Sequence, residues 1–361
     1  MQQILQGHST IDTILREIGS KHYMLVCDSS FPYLSIKDAF SPEVVFDQFT
    51  PNPLYEDVCK GVDLFNQHQC DAIIAVGGGS TIDVAKCIKL YCKMDPSQNY
   101  LRQEYRDSGV PLIAVPTTAG TGSESTRYAV IYFEGKKQSV THESIIPNYA
   151  VLEPSLLTTL PLYQKKCTML DALCQGIESM WSVNSTEKSM IFSKIAVDMI
   201  MHHWQDYIEQ NSADAAEAIM RAANYAGQAI NITQTTAPHA MSYKLTSMFS
   251  LPHGHAVALC LLEVWMFMLE HPEKCIDPRG KEHLEFVFEW LGQIMGCDSP
   301  YKGLMMFRAM MFSLDMPKPT SNNREADLAT LTKSVNPERL RNNPVELEEE
   351  TIRSIYDKIL L

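Results

Sequence analysis

The first part of the chain alternates short apolar runs with segments of helical periodicity. Residues 55–68 carry apolar side chains at helical spacing. The runs that predict β-strands span residues 23–27, 71–76, 111–115 and 128–133. The run at 71–76 is apolar with little alternation, as expected of a strand buried on both faces of a parallel sheet. We therefore predict an α/β domain with a parallel sheet over residues 1–154.

The pattern becomes helical from about residue 155. Three long segments have helix length and period, at residues 213–230, 253–270 and 282–294. The most apolar stretch, residues 256–269, contains Glu263 and is shorter than the ~20 residues of a membrane-spanning helix. We interpret it as a buried core helix, and we predict an all-α domain over residues 155–361.

A glycine-rich turn separates the strand at 71–76 from the helical stretch that follows it. Residues 77–80 read Gly-Gly-Gly-Ser. Glycines allow backbone N–H groups to approach a pyrophosphate closely, and the helix N-terminus adds its positive dipole end. A tight turn between strand and helix would also need glycines, but the flanking elements favour phosphate binding and a Rossmann-like, dinucleotide-binding domain.

Two further segments fit a nucleotide site. Asp28 directly follows the strand at 23–27, where an acid often binds ribose hydroxyls and disfavours a 2′-phosphate, which favours NAD over NADP. An ordinary loop aspartate is the alternative. Residues 116–124 follow the strand at 111–115 and are dense in hydroxyl groups and glycines, which suits contacts to phosphate, ribose and carboxamide.

Four polar side chains of the second domain have the composition of a metal site. Asp171 and Gln175 are four residues apart, so on a helix they point the same way. His239 and His253 add two imidazoles. One carboxylate and two imidazoles commonly hold a divalent transition metal and leave a position open for water or substrate. The sequence therefore predicts a catalytic metal site.

Composition limits the partners and the compartment. The formal net charge of −13 argues against nucleic-acid binding, which needs a basic surface. An anionic small molecule would need a local cluster of cations. The ten cysteines form no Cys-x-x-Cys pair, and no secretory leader is apparent, so we expect free thiols in the cytoplasm and no association with a membrane.

Together, these motifs resemble the iron-containing (group III) alcohol dehydrogenase family. They occur in the family's order, and Asn52-Pro53 and Asn343-Pro344 extend the match over nearly the whole chain. The resemblance implies a dinucleotide-binding domain, a helical domain that binds metal and substrate, and hydride transfer between NAD(P)H and a small aldehyde or alcohol. A homodimer is also expected.

The resemblance assigns the metal ligands and marks one departure. The family's four ligands fall on Asp171, Gln175, His239 and His253, but the second is usually histidine. A glutamine oxygen is neutral, harder and generally weaker than imidazole, so we expect a site that holds its metal less tightly, uses three protein ligands, or prefers a metal other than iron. The expected cofactors are NAD(H), preferred over NADP(H), and a divalent metal, iron or zinc. A histidine common in the family is here Tyr243.

Within the family, residues 171–181, 231–244 and 252–256 look most like the phosphonoacetaldehyde reductases of phosphonate biosynthesis, which form 2-hydroxyethylphosphonate. Lys244 and Arg341 are candidate contacts for the phosphonate, and Tyr243, His255 or water for proton delivery. The expected cofactor contacts are Asp28, Gly77, Gly78, Gly79, Ser80, Asp83, Thr117, Thr118, Thr121, Ser123 and Lys137. The alternatives are a general short-chain alcohol or aldehyde dehydrogenase, a metal-dependent lyase of the dehydroquinate synthase kind, and a non-catalytic nucleotide-binding relative.

Overall fold

The computed structural model describes residues 2–361, and Met1, where the predicted first domain begins, lies outside them. The chain forms two compact units. Unit 1 contains the chain up to Leu160 and the segment Asn211–Gly227, and unit 2 contains Pro161–Gln210 and Gln228–Leu361. The predicted division after residue 154 differs from this, because one helical segment of the second half packs in unit 1. Periodicity identifies a helix but not the core against which it packs.

Unit 1 is built on a parallel sheet, as predicted. The strands of the protein are β1 (Gln3–Gln6), β2 (Tyr23–Cys27), β3 (Val44–Phe46), β4 (Ala72–Gly77), β5 (Leu112–Pro116), β6 (Tyr128–Phe133), β7 (Lys136–Thr141) and β8 (Tyr149–Leu152). The six-stranded sheet has the order β1-β8-β5-β4-β2-β3, and every pairing in it is parallel. Strands β6 and β7 form a separate antiparallel hairpin that turns at Glu134 and Gly135.

The central strands are buried because both faces of the sheet are covered. Alternate residues of β2 and β4 enter two different hydrophobic clusters, Met24 and Ile73 in one, Leu25 and Ile74 in the other. This division follows from the two-residue period of a strand, whose successive side chains point to opposite faces. Full burial on both faces explains the uninterrupted apolar runs of the sequence.

Helices pack in unit 1 and form most of unit 2. They are α1 (Ile11–Ile18), α2 (Tyr55–Gln67), α3 (Gly79–Tyr91), α4 (Leu162–Trp181), α5 (Glu187–Glu209), α6 (Ala213–Thr233), α7 (Ala237–Phe249), α8 (His253–Glu270), α9 (Lys281–Ile294), α10 (Pro300–Ser313), α11 (Arg324–Ser334), α12 (Pro337–Leu340) and α13 (Glu349–Ile359). The predicted helical character of the second half is therefore confirmed. Helix α6 begins in unit 1 and ends in unit 2.

The first part of α6 packs on the hydroxyl-rich segment of unit 1. Asn224 Nδ2 donates hydrogen bonds to Glu124 Oε1 at 3.0 Å and to Ser125 Oγ at 2.7 Å. A Cβ on Gly122 would lie 2.4 Å from Cα of Gly227, so only glycines permit this approach of the two backbones. This contact explains why residues 211–227 belong to unit 1.

Helices α4 and α8 form the centre of unit 2. Both are buried along most of their length, as expected of helices that are apolar around much of their circumference. Helix α8 is long and apolar enough to cross a membrane by length and composition, but 61% of it is buried inside the protein. Its apolar side chains are used in the core, as predicted for residues 256–269.

Candidate active site

Helix α4 aligns three polar side chains on one buried side. Asp171, Gln175 and Glu178 follow at spacings of four and three residues, which places them along one face of the helix. Their exposed fractions are 3%, 3% and 0%. Three polar residues in an otherwise buried helix need partners from neighbouring elements, since an unpaired buried polar group is costly.

Helices α7 and α8 begin next to this face and bring in the two histidines. Asp171 Oδ1 lies 3.3 Å from His239 Nε2 and 4.0 Å from His253 Nε2. One possible ligand atom from each of these three residues lies within 4.8 Å of the others. The structure therefore brings Asp171 close to both histidines, as predicted. We call Asp171, Gln175, His239 and His253 the donor group.

Two buried oxygen atoms of the donor group have no hydrogen-bond partner among the described residues. Within residues 2–361, neither Asp171 Oδ1 nor Gln175 Oε1 accepts a hydrogen bond, although both are buried. Burial alone would raise the pKa of Asp171, but the neighbouring imidazoles of His239 and His253 hold it below its usual value. Ionised and neutral oxygens beside two imidazoles fit a divalent cation, so these four residues would hold one.

Glu178 fixes the orientation of His239. Its Oε1 is hydrogen-bonded to His239 Nδ1, and its Oε2 accepts from the backbone N–H and hydroxyl of Thr236 at 2.6 and 2.9 Å. Burial alone would lower the pKa of His239, but the carboxylates of Glu178 and Asp171 raise it to about 9. The bond at Nδ1 leaves Nε2 facing Asp171, which is the arrangement of a metal-ligating histidine.

Sequence reasoning missed Glu178 and Thr236. Glu178 lies seven residues beyond Asp171, two helical turns away on the same face, and that spacing was the available signal. Thr236 immediately precedes α7, and its extended backbone places its N–H toward α4. The four predicted donors thus rest on a hydrogen-bonded support drawn from two elements.

Gly254 explains why α8 can deliver His253. A Cβ on Gly254 would lie 1.9 Å from the backbone oxygen of Cys167 and 2.9 Å from Cβ of Asp171. The α8 backbone therefore touches α4 directly, one residue after His253. No residue with a side chain would fit without separating the two helices.

Tyr243 and Arg339 lie on the accessible side of the donor group. The His253 side chain is 37% exposed, whereas those of Asp171 and His239 are each 5% exposed. The Tyr243 ring is stacked on the His253 ring, with centroids 5.8 Å apart and planes 2° from parallel. Arg339 Nη1 donates to the Tyr243 hydroxyl at 3.2 Å, and its Cζ lies 5.3 Å from the ring centre. Sequence reasoning missed Arg339.

Three other predicted residues are not joined to the donor group. His255 is fully buried with Nδ1 2.8 Å from the Tyr163 hydroxyl, and burial lowers its pKa. Two residues apart on a helix, His255 and His253 point to different sides of α8, and the role of His255 in proton delivery stays a prediction. Lys244 is half-buried on α7, and Arg341 is exposed after α12. Neither makes a hydrogen bond to the donor group within residues 2–361.

The glycine turn of unit 1 is shaped by close contacts. A Cβ on Gly77 would lie 2.2 Å from Thr81 Oγ1 and 2.8 Å from Asp28 Oδ2. Asp28 Oδ2 accepts a hydrogen bond from Thr81 Oγ1 at 3.0 Å, which ties the end of β2 to the start of α3. A side chain on Gly79 would meet Thr121 at 2.8 Å. Helix α3 starts at Gly79, so bare backbone at a helix N-terminus fits a pyrophosphate.

The other predicted cofactor residues divide into two groups. Ser80, Thr117 and Thr118 border the turn: Asn52 N donates to Ser80 Oγ at 3.4 Å, Thr117 N donates to Gly77 O at 3.0 Å, and Thr118 lies 3.6 Å from where a Gly78 Cβ would be. Lys137 is half-buried in β7. Their contacts to a cofactor stay predictions.

Asp83 and Ser123 hold the hydroxyl-rich segment to α3. Asp83 accepts from Ser123 Oγ at 2.7 Å and from Val130 N at 2.9 Å. The buried Lys86 donates to Ser123 Oγ at 3.0 Å and to Tyr128 O at 2.7 Å. Burial lowers the pKa of Lys86 to about 8, although Asp83 opposes the shift. Asp83 is therefore occupied by protein partners, and sequence reasoning missed Lys86 as its counterion.

Unit 1 is a parallel α/β unit with a glycine turn at a helix N-terminus. Unit 2 is helical and contains a carboxylate, an amide and two imidazoles that lie close together. These two sets of features indicate a class of protein. The class is that of enzymes that bind a dinucleotide and a divalent metal.

Family models match almost the entire chain. "Iron-containing alcohol dehydrogenase" matches residues 2–154, and "Fe-containing alcohol dehydrogenase family, C-terminal" matches residues 166–360. A phosphonoacetaldehyde reductase of Streptomyces viridochromogenes is 32% identical over 79% of this chain and 75% of its own. The chain belongs to the iron-containing alcohol dehydrogenase family, and it is an oxidoreductase of the alcohol dehydrogenase type. The predicted family is confirmed.

Solved structures confirm the fold. The sulfoacetaldehyde reductase of Bifidobacterium kashiwanohense in complex with NAD⁺ has a TM-score of 0.87 at 24% identity, covering 99% of this chain and 96% of its own. The iron-containing alcohol dehydrogenase of Thermococcus thioreducens has a TM-score of 0.89 at 21% identity, covering 99% and 98%. At these identities the likeness establishes the architecture and not the substrate.

Proposed function

We propose that the protein uses NADH to reduce a small aldehyde that carries a phosphonate group to a primary alcohol. The first candidate reaction converts phosphonoacetaldehyde to 2-hydroxyethylphosphonate. The observation that carries the proposal is the buried donor group, whose Asp171 Oδ1 and Gln175 Oε1 accept no hydrogen bond within residues 2–361. The likeness to a phosphonoacetaldehyde reductase supports the choice of aldehyde.

Different residues of this chain would bind the metal, bind the dinucleotide and orient a metal ligand. Asp171, Gln175, His239 and His253 would hold a divalent ion, iron or zinc, which when bound supplies Lewis-acid polarisation of a carbonyl group. The glycine turn and the N-terminus of α3 would hold the pyrophosphate of the dinucleotide that supplies the hydride. Glu178 keeps Nε2 of His239 directed at Asp171.

Tyr243 has the position of a proton donor. Its hydroxyl oxygen accepts a hydrogen bond from Arg339, so its own proton is directed elsewhere. The stacked His253 ring keeps the phenol beside the accessible edge of the donor group. Tyr243 would therefore deliver the proton that the product oxygen needs after hydride transfer.

Asp28 supports NADH as the preferred cofactor. Its carboxylate is held at the end of β2 by Thr81 and by Ser30, whose backbone N–H lies 2.9 Å from Asp28 Oδ1. A fixed negative charge at this strand end favours ribose hydroxyls and disfavours a 2′-phosphate. The preference would appear as a lower KM for NADH than for NADPH.

The compartment and the assembly stay predictions. All ten cysteines are free thiols in the structure, seven of them buried, which agrees with a reducing cytoplasm. A homodimer is expected from the family resemblance.

An aldehyde panel tests the proposed function. Protein loaded separately with Fe²⁺, Zn²⁺ or Mn²⁺, and chelator-treated protein, would be assayed with NADH and NADPH. The substrates are phosphonoacetaldehyde, sulfoacetaldehyde and butanal, and the readout is loss of nicotinamide absorbance. We expect turnover only with metal and the highest kcat/KM for phosphonoacetaldehyde with NADH. Equal kcat/KM for butanal would contradict the anionic substrate, and no oxidation of NADH by any aldehyde would contradict a reductase.

A further inference from the structure

Arg339 is a cation without a carboxylate partner beside the donor group. Within residues 2–361, its guanidinium makes no ion pair with any Asp or Glu, and its side-chain hydrogen bond goes to the neutral hydroxyl of Tyr243. Arg279, Arg324 and Arg353 of unit 2 pair with carboxylates, as Arg279 does with Asp277 at 2.6 Å. The exposed Arg308 and Arg341 also make no ion pair within residues 2–361, but only Arg339 is hydrogen-bonded to Tyr243 beside the donor group. In a protein with a net charge of −13, a guanidinium that avoids carboxylates can bind an anion from solution.

The position of Arg339 suits a small substrate. The separations of 5.8 Å between the His253 and Tyr243 rings and 5.3 Å from the Tyr243 ring to Arg339 Cζ limit the distance between the His253 ring and Cζ to about 11 Å. His253 is the exposed member of the donor group. Hence a short molecule whose carbonyl lies at the donor group can extend along Tyr243 toward the guanidinium.

Helix α12 is held in place by the same segment that positions His239. Asn342 Nδ2 donates to Gln234 Oε1 at 3.0 Å and to Thr235 O at 3.2 Å. The next residue, Thr236, is bonded to Glu178, which orients His239. A hydrogen-bonded path therefore sets the guanidinium relative to the donor group, and a fixed cation loses little entropy when it binds an anion.

Lys244 and Arg341, the two cations expected from the sequence to contact the phosphonate, are less suitably positioned than Arg339. Lys244 is the neighbour of Tyr243 on α7, but consecutive residues on a helix point about 100° apart. Arg341 is exposed after α12, two residues past Arg339, and within residues 2–361 its side chain makes no hydrogen bond to Tyr243 or His253. A guanidinium also presents parallel N–H groups that match two oxygens of a phosphonate, which an ammonium does not.

We propose that Arg339 binds the oxyanion head of the substrate and thereby sets the preference for anionic over neutral aldehydes. The inference rests on the proposed function for the identity of the reaction. It assigns the recognition of the acidic group to one residue that also donates to the Tyr243 hydroxyl. Aldehydes with a phosphonate or a sulfonate would both be recognised, because both present several equivalent oxygens.

Steady-state kinetics with matched variants tests the assignment. Arg339→Gln removes the charge. Arg339→Lys keeps the charge but lacks the parallel N–H groups of a guanidinium. Arg341→Gln tests the alternative cation. Arg308→Gln, an exposed position on α10, controls for the change in net charge. We expect Arg339→Gln to lower kcat/KM for phosphonoacetaldehyde roughly 10- to 100-fold, mainly through KM, because a hydrogen bond to a charged group is lost. For butanal the change should stay within about threefold, and Arg339→Lys should recover part of the loss.

A binding measurement separates this inference from the reaction. Calorimetric titration with 2-hydroxyethylphosphonate needs no turnover, so it tests Arg339 even if no aldehyde is reduced. We expect roughly 10-fold or more weaker binding to Arg339→Gln and unchanged binding to Arg308→Gln. Equal binding to wild type and Arg339→Gln would overturn the inference. A loss only in Arg341→Gln, or equal kinetic losses for charged and neutral aldehydes, would also overturn it, since the latter would make Arg339 a residue that only positions Tyr243.

Discussion

Glu178 shows how one buried carboxylate controls a neighbouring ligand. It is fully buried, and it accepts from the imidazole of His239 and from both donors of Thr236. An acceptor at Nδ1 fixes the tautomer, raises the basicity of Nε2 and restricts the ring to one orientation. The carboxylate therefore acts through His239 and does not need to touch a substrate.

Replacing Glu178 by glutamine should weaken metal binding. Glu178→Gln keeps the size and one acceptor but removes the negative charge at Nδ1 that makes Nε2 of His239 a more basic ligand. We expect the affinity for Zn²⁺ to fall roughly 10- to 100-fold, as measured by competition with a chromophoric chelator. Glu289→Gln, exposed on α9, is the control. Unchanged Zn²⁺ affinity in Glu178→Gln would show that the hydrogen bond at Nδ1 has no influence on the metal.

Gln175 marks the difference between this donor group and the family pattern. It is buried one helical turn from Asp171, and its Oε1 accepts no hydrogen bond among the described residues, so that oxygen is available to a metal although the residue is not histidine. A neutral oxygen replaces a nitrogen, which makes the donor set harder. The difference in activity between protein loaded with Fe²⁺, Zn²⁺ or Mn²⁺ should therefore depend mainly on Gln175.

At the level of elements, the approach of α8 to α4 determines the donor group. Gly254 lies against the backbone oxygen of Cys167, and His253 is the residue before it. The geometry of metal binding is thus fixed by two helix backbones, which are stiffer than side chains. A change at a position without any functional group should consequently affect function.

Gly254→Ala should separate α8 from α4. The added Cβ would meet backbone at 1.9 Å, so α8 and His253 must shift away from Asp171. We expect a loss of about 1–3 kcal/mol in the free energy of unfolding, from urea titration, and at least tenfold weaker Zn²⁺ binding. Gly176→Ala, on α4, is a control because its Cβ would first meet the Val197 side chain at 3.0 Å, which can move. Equal Zn²⁺ affinities for both variants would contradict this account.

Burial explains which elements the sequence predicted. The runs at 23–27, 71–76 and 111–115 coincide closely with β2, β4 and β5, whose residues are all buried. Strands β1 and β3 lie at the two edges of the sheet, are partly exposed and are only 4 and 3 residues long. Their apolar runs are only two residues long in β1 and three in β3, which is too short to predict a strand. They were therefore not predicted.

At the scale of the whole molecule, metal binding should be linked to stability. The donor group joins α4, α7 and α8 in the core of unit 2, so an ion that binds it stabilises the folded state by mass action. At a free metal concentration about 100 times Kd the gain is about 2.7 kcal/mol. We expect chelation to lower the melting temperature, measured by differential scanning fluorimetry, by about 3–5 °C. Asp171→Asn should show a much smaller shift, and equal shifts would place the stabilising metal elsewhere.

The sequence revealed the donors more fully than the residues that support them. Asp171 and Gln175 are recognisable together because a helix brings positions four apart to one face. Arg339 and Tyr243 are 96 positions apart, and Lys86 and Ser123 are 37 apart. Contacts between such distant positions depend on the packing of elements, which no local pattern encodes. The same holds for the return of residues 211–227 to unit 1.

The chain leaves unit 1 after Leu160 and returns to it at Asn211–Gly227. This path also constrains the order in which the two units can fold. Gly122 and Glu124 obtain their contacts from Gly227 and Asn224, and the whole of Pro161–Gln210 is synthesised between these two segments. During translation, the nucleotide-binding half therefore stays unfinished until part of the metal-binding half has left the ribosome. A fragment that ends at Leu160 would lack the helix that covers its hydroxyl-rich segment, so the two halves are not interchangeable modules.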